Sequence, residues 1–156
     1  MRVLRQAFFV LSAAAAIVAG VPIPASASPN QPERVAEQVV HARQKAMQEA
    51  ATAADVDAFL SFGTENMVYE DPVVKMRIEG KNQIRQGMLA FLGVTRAARI
   101  VVTKKIARAN VVVFEQNVSF EEKQDDGRWT PRTRSQVTVF EFEGSQVRRI
   151  ADYWSR

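Results

Sequence analysis

Two short segments of the sequence hold side chains that could move protons. The first, "ENMVYEDPVV" at residues 65–74, contains the pair Asp71–Pro72. Alternate side chains of a strand share one face, so Met67, Tyr69 and Asp71 are expected to point together. Asp71 is then either a strand terminator that accepts backbone hydrogen bonds or a carboxylate that faces a pocket and acts as a general base.

The second segment is "QVRRIADYW" at residues 146–154. The same alternation places Asp152 on one face with Ile150 and Trp154. Asp152 is a candidate acid–base group beside Asp71 and Tyr69, and it could equally be the structural partner of an arginine. These two interpretations stay open on the sequence alone.

The composition excludes several kinds of chemistry. The 156 residues include no cysteine and one histidine, so disulfides, thiol nucleophiles, thiolate metal sites and histidine-rich metal sites are excluded. We expect no metal site and no cofactor. The net charge is +4, but no basic stripe with interleaved aromatic residues is present, so nucleic acid is not an expected partner.

The N-terminus has the layout of a secretory signal peptide. A short basic start precedes the uncharged run "AFFVLSAAAAIVAG", and Ala25-Ser26-Ala27 forms a small-x-small cleavage site. We predict a signal peptide at 1–27, a flexible leader at 28–32 and one domain at 33–156. Cleavage would leave 19 basic against 17 acidic residues and no stable membrane anchor, and the protein would be secreted or periplasmic.

Helical patterns come first along the predicted domain. Glu33 to Ala54 lacks Gly and Pro and has apolar residues at helical spacing, which predicts a long first helix. Asp55 is the expected N-cap of a short second helix, "VDAFLSF", closed by Gly63. After the strand "NMVYEDPVV" and the return "KMRIEG", a third helix is predicted over "KNQIRQGMLAFLG", ending at Gly93.

The period then changes to two residues. Four strands are predicted, at 98–109, 110–122, 128–143 and 146–154, with hairpin turns at "DDG" and "EGS". Helices followed by an antiparallel meander indicate an α+β domain whose curved sheet packs against helices on one side. Val137 and Val139 fall on the opposite sheet face, where we expect a homodimer surface.

This element order resembles the nuclear transport factor 2 fold, also called the SnoaL-like or ketosteroid-isomerase-like fold. "VYEDPVV" is similar to the strand of ketosteroid isomerases that carries the catalytic base, and "VRRIADYWSR" is similar to their last strand, whose Trp lines the pocket. "IEGKNQIRQGMLAFL" resembles the start of a helix in the same family. The resemblance spans nearly the whole predicted domain and implies a cone-shaped cavity with Asp71 at its mouth.

The sequence lacks catalytic side chains that two enzyme families of this fold use. The oxyanion donors of ketosteroid isomerases fall on Met47 and Thr138, which argues against steroid isomerisation of the usual kind. Limonene epoxide hydrolases resemble the chain at Asp152. In those hydrolases an Arg and a second Asp act together with the Asp that matches Asp152. The positions of these two residues are occupied here by Gln116 and Val118, so the water-activating triad is incomplete.

The remaining candidate residues predict a pocket that contains both polar and apolar side chains. Arg134 could pair with Asp152 or with Asp71 and would then hold that carboxylate ionised. The expected catalytic residues are Asp71, Asp152 and Tyr69. The expected ligand-binding residues are Met47, Met88, Phe114, Gln116, Arg134, Gln136, Thr138 and Trp154, with Phe120 and Phe140 as further apolar wall.

These residues support three hypotheses. The first is acid–base chemistry at Asp71 on a small, largely apolar molecule. The second is a catalytically silent pocket that binds a hydrophobic or aromatic molecule. The third is an accessory domain whose sheet face binds another protein. The retained "EDP" favours chemistry, and the missing oxyanion donors favour binding.

Overall fold

The computed structural model describes residues 31–155. It contains three helices and six strands. The helices are α1 (Gln31–Ala46), α2 (Ala53–Leu60) and α3 (Lys81–Ala90). The strands are β1 (Gly63–Asp71), β2 (Met76–Glu79), β3 (Thr95–Arg108), β4 (Val111–Lys123), β5 (Trp129–Glu143) and β6 (Gln146–Trp154). The predicted signal peptide and most of the predicted leader lie outside the described residues.

The predicted helix boundaries need correction. α1 ends at Ala46, eight residues before the predicted end, and begins at Gln31 inside the predicted leader. The N-cap of α2 is Thr52, and Asp55 is the third helical residue. The Thr52 backbone N–H donates to the Asp55 carboxylate at 2.9 Å, so Asp55 stabilises the helix start from within the first turn.

The predicted α+β class with a curved sheet is confirmed, and the sheet is open. Its strand order is β2-β1-β6-β5-β4-β3. Neighbours from β3 to β6 are antiparallel, as predicted for the meander, but β1 pairs with β6 in parallel. The last strand therefore lies in the middle of the sheet, between β1 and β5. This topology brings the two candidate segments of the sequence side by side.

The core lies between the concave face of the sheet and the helices. Apolar residues on alternate positions of the strands point to this face, and the register shifts in β1, β3 and β5 accompany its curvature. The largest buried core residues are Phe114, Phe140, Met67, Ile84 and Ile150. Within residues 31–155, none of the helices is long and apolar enough to cross a membrane.

Candidate functional site

A buried polar cluster surrounds the carboxylate of Asp152, which is 1% exposed. Its Oδ2 accepts a hydrogen bond from the Tyr69 hydroxyl at 2.7 Å and lies 2.7 Å from Nη2 of Arg43. Its Oδ1 accepts hydrogen bonds from Gln136 Nε2 and Thr138 Oγ1, each at 2.7 Å. Arg43 Nη2 also donates to the Tyr69 hydroxyl at 2.8 Å, which closes the cluster.

The charges of this cluster balance one another. Burial alone would raise the pKa of Asp152, but the Arg43 charge and the hydrogen bonds from Arg43, Thr138 and Tyr69 outweigh burial and keep that pKa below its ordinary 3.8. Burial also raises the pKa of Tyr69, so its hydroxyl is a weaker acid than usual. Asp152 is therefore an ionised, fully bonded carboxylate.

Arg43 is the functional residue that sequence reasoning missed. It lies on α1, far along the chain from Tyr69 and Asp152, and no motif marks it. One feature of the sequence could have revealed it. The buried residues Ala36, Val39 and Val40 define the inner face of α1, and Arg43 follows them at helical spacing on that face. A lone cation in an apolar helix stripe predicts a buried acidic partner.

Asp71 has a different environment. Its side chain is buried, at 7% exposure, and its Oδ2 accepts a hydrogen bond from the Trp154 indole N–H at 2.8 Å. Its Oδ1 accepts one from the Val73 backbone at 3.1 Å. Among residues 31–155 it forms no ion pair. It ends β1 and caps the turn that follows. It does not line the cavity between α1, α3 and the sheet.

A cavity of about 300 Å³ opens between α1, α3 and the concave face of the sheet. Most of its wall is apolar. The polar groups on the wall come from Arg43, Tyr69, Thr95 and Arg134, and no acidic side chain of residues 31–155 lines it. The apolar wall comes from Ala46, Met47, Phe59, Met76, Ile78, Ile84, Gly87, Met88 and Phe91.

The predicted ligand-binding residues divide into two groups. Met47, Met88 and Arg134 line the cavity, as does Tyr69. The others do not reach its wall, because they lie deeper in the sheet or beside it: Phe114, Gln116, Gln136, Thr138, Trp154 and the predicted wall residues Phe120 and Phe140.

The deeper residues have structural contacts instead. Phe114 packs edge-on against Phe140 in the core, with ring centroids 5.5 Å apart. Gln116 donates to Thr138 Oγ1 at 2.6 Å and reaches Asp152 only through it, because β5 lies between β4 and β6. Gln116, Gln136 and Thr138 therefore position the carboxylate of Asp152, and Phe114 and Phe140 belong to the core.

Arg134 pairs with neither of the two carboxylates proposed from the sequence. Its guanidinium carbon lies 4.9 Å from the ring centre of Trp154 and 6.0 Å from that of Phe120. Its Nε is buried and has no hydrogen-bond partner among residues 31–155. Within the described part of the chain, no group of three His, Asp or Glu side chains could hold a metal ion.

Comparison with known protein families identifies the family of this chain. The model of the SnoaL-like domain matches residues 44–150, which is more than half of the sequence. The chain belongs to the SnoaL-like domain family. The match covers β1, α3 and β5 in full, and therefore Tyr69, Asp71 and Arg134, and it ends at Ile150 in β6. No curated protein sequence matches this SnoaL-like chain.

Solved structures with the same fold share little sequence with this SnoaL-like protein. One, from Shewanella putrefaciens, is described as a SnoaL-like polyketide cyclase; its TM-score is 0.68 at 15% identity, over 89% of this chain and 92% of that chain. An epoxide hydrolase of the limonene epoxide hydrolase-like type from M. tuberculosis has a TM-score of 0.64 at 17% identity, covering 81% and 84%. These likenesses establish the fold.

A third structure was determined with a bound small molecule. It is a protein of ketosteroid isomerase-like fold from Catenulispora acidiphila in complex with trimethylamine, with a TM-score of 0.60 at 19% identity, over 76% of this chain and 85% of that chain. The first two neighbours have different described activities on one architecture, so the fold alone does not indicate the function of this chain.

Proposed function

We propose that this SnoaL-like protein binds a small, largely apolar molecule in the cavity between its helices and its sheet. The observation that carries the proposal is the cavity wall itself. A volume of about 300 Å³ with a mostly apolar surface and a few polar groups fits the general pattern of small-molecule sites. The apolar wall would supply most of the affinity, and the polar groups would orient the ligand.

Binding is favoured over chemistry at Asp152 because that carboxylate has no free capacity. Its oxygens already receive hydrogen bonds from Tyr69, Gln136 and Thr138 and an ion pair from Arg43. A general base needs a pKa near the working pH, and the lowered pKa of Asp152 makes it a weak base. The cluster around Asp152 therefore has a structural role beside the cavity.

A neutral fluorescent probe, N-phenyl-1-naphthylamine, tests this proposal directly. We expect its fluorescence to rise on binding to the parent protein and its affinity to fall at least tenfold in Gly87→Leu. Gly87 lines the cavity, and a Cβ there meets only Ile78 Cδ1, at 3.7 Å. The new side chain should occupy ligand space without a backbone clash, and replacing a helical glycine stabilises α3 by about 1 kcal/mol.

The matched control is Gln86→Leu, which adds the same side chain at the exposed neighbouring position. It should leave probe affinity unchanged. The proposal fails if the probe does not bind the folded parent protein, or if Gly87→Leu and Gln86→Leu bind it equally well. Thermal unfolding of both variants confirms that a change in affinity does not reflect loss of the fold.

A second candidate function is acid–base chemistry at Asp71 on the bound molecule. One observation favours it: Asp71 is a buried carboxylate that forms no ion pair among residues 31–155. Tyr69 precedes it by two residues on the same strand face and lines the cavity. A small reorientation of Asp71 would be needed for contact with a ligand, since the resting carboxylate bonds to Trp154.

We further propose export of the mature domain and pairing of two copies through the outer sheet face. The first rests on the sequence of residues 1–27. The second rests on Val101, Ile106 and Tyr153, large apolar side chains that are exposed in the single chain. N-terminal sequencing of exported protein tests the first, and sedimentation of Val101→Lys beside the parent tests the second. A parent that sediments as a monomer contradicts pairing.

A further inference from the structure

We infer that the molecule bound in the cavity carries a carboxylate and that Arg134 binds this group. The inference rests on the proposed function and names the class of ligand: an apolar body with a single anionic end. Four observations support it. Within residues 31–155, these are the unpaired guanidinium of Arg134, the paired guanidinium of Arg43, the absence of acidic groups from the cavity wall, and the stacking of Arg134 on Trp154.

Arg134 is a cation that has no anionic partner in the described part of the chain. It forms no ion pair or hydrogen bond within residues 31–155, although its Nε is buried. A buried N–H donor without an acceptor is energetically unfavourable, so such groups in folded proteins usually have a partner. Burial, and then the nearby charge of Arg43, lower the pKa of Arg134, and the charges of Asp152 and Asp71 offset this lowering only in part.

The other arginine on the wall provides the contrast. Arg43 is fully compensated, because its Nη2 lies 2.7 Å from the Asp152 carboxylate and also donates to Tyr69. That carboxylate has no remaining capacity for Arg134. The cavity therefore presents two guanidinium groups. Among residues 31–155, the only carboxylate in direct contact with either is that of Asp152, which pairs with Arg43.

The geometry of Arg134 leaves its donors available. A guanidinium stacks through its face and donates hydrogen bonds from its edge. Trp154 lies against Arg134 at 4.9 Å, and Trp154 is itself held by its hydrogen bond to Asp71 at 2.8 Å. Asp71 is thus a positioning residue for this contact. The stack fixes the side chain before a ligand arrives, which lowers the entropy cost of binding.

A carboxylate matches this group better than other acceptors. Its two oxygens can accept parallel hydrogen bonds from the edge of one guanidinium, and its single charge balances the one unpaired arginine. The apolar wall excludes water around the pair and so strengthens it. A neutral carbonyl or amide of the same size would satisfy one donor and leave the charge uncompensated.

Two probes of the same size and apolar body test the inference: 1-naphthylacetate and 1-naphthylacetamide. Each is measured by displacement of N-phenyl-1-naphthylamine and by calorimetry. We expect the parent protein to bind the carboxylate at least tenfold more tightly than the amide. In Arg134→Gln that ratio should fall to about one while the affinity for the amide stays the same. Arg134→Lys should keep part of the preference, because it retains the charge and loses the planar fork.

The control is Arg132→Gln, which removes an exposed arginine from the same strand, two residues away. It should keep the parent preference. Equal affinity of the parent for both probes overturns the inference, as does an unchanged preference in Arg134→Gln. If the neutral probe binds and neither naphthyl compound displaces it, the carboxylate inference fails and the cavity proposal stands. If the neutral probe itself does not bind, the proposed function fails.

Discussion

Asp152 and Asp71 are both buried carboxylates on neighbouring strands, yet the structure gives them opposite surroundings. Asp152 is held by Arg43, Tyr69 and two side chains of β5. Asp71 receives hydrogen bonds from one indole and one backbone N–H. Burial is nearly equal at 1% and 7%, so it does not distinguish the two. The number and charge of the partners distinguish them.

This difference separates a structural carboxylate from one with capacity for chemistry. A carboxylate locked in an ion pair contributes to the fold and is a poor base, because proton uptake would break the pair. A carboxylate bonded only by neutral donors can lose one of them at moderate cost. The comparison predicts that substitutions at Asp152 act mainly on stability and that substitutions at Asp71 act mainly on function.

The largest expected effect belongs to Asp152→Asn. The substitution leaves the buried Arg43 charge uncompensated, which should lower the free energy of unfolding by about 3–5 kcal/mol. Urea unfolding followed by tryptophan fluorescence measures this loss. The control is Asp57→Asn, which breaks the exposed pair with Arg85 and should cost no more than about 1 kcal/mol.

A double variant keeps this prediction testable if the single one does not fold. Arg43→Met combined with Asp152→Asn removes both charges, and it should be more stable than Asp152→Asn alone because no buried charge is left unpaired. Equal stability of Asp152→Asn and Asp57→Asn would contradict the role assigned to the cluster around Asp152.

Acid should remove the same interaction progressively. The folded protein holds the pKa of Asp152 below its ordinary 3.8, so the ion pair contributes stability that is present above about pH 4 and is lost as the pH falls through the folded pKa. Surface carboxylates such as Asp55, whose pKa is lowered to about 2, act in the same direction. The difference between the parent protein and Asp152→Asn should therefore shrink below pH 4, measured by unfolding at each pH.

The smallest effect on stability is expected for Asp71→Asn. The amide oxygen can still accept the hydrogen bond from Trp154, so the free energy of unfolding should change by about 1 kcal/mol or less.

If Asp71 is the base of the second candidate function, the same variant should slow the exchange of α-protons of 2-indanone in deuterated water at least a hundredfold, measured by NMR. Binding of N-phenyl-1-naphthylamine should be retained. A parent protein that gives no exchange contradicts this function, and a loss of stability as large as that of Asp152→Asn would erase the contrast between the two carboxylates.

Local pattern determined the fold class and the faces of the strands. The change from helical spacing to a period of two predicted helices followed by a meander, because each period places apolar side chains on one face. The same alternation placed Arg134, Gln136 and Thr138 together on β5, and Asp152 and Trp154 together on β6. Helix ends were predicted less well: Asp55 resembled an N-cap but is the third residue of α2, since Thr52 supplies the cap.

Pairing between distant segments was decided only by the tertiary structure. The sequence offered Arg134 as the partner of Asp152 or Asp71. The position of Arg43 on the inner face of α1 indicates a buried acidic partner but does not identify it. Packing of α1 across the sheet brings Arg43 to Asp152, and Arg134 stacks on Trp154 without an ion pair to any of residues 31–155. An ion pair depends on distances of a few ångströms between residues far apart in the chain, and local periodicity carries no information about such distances.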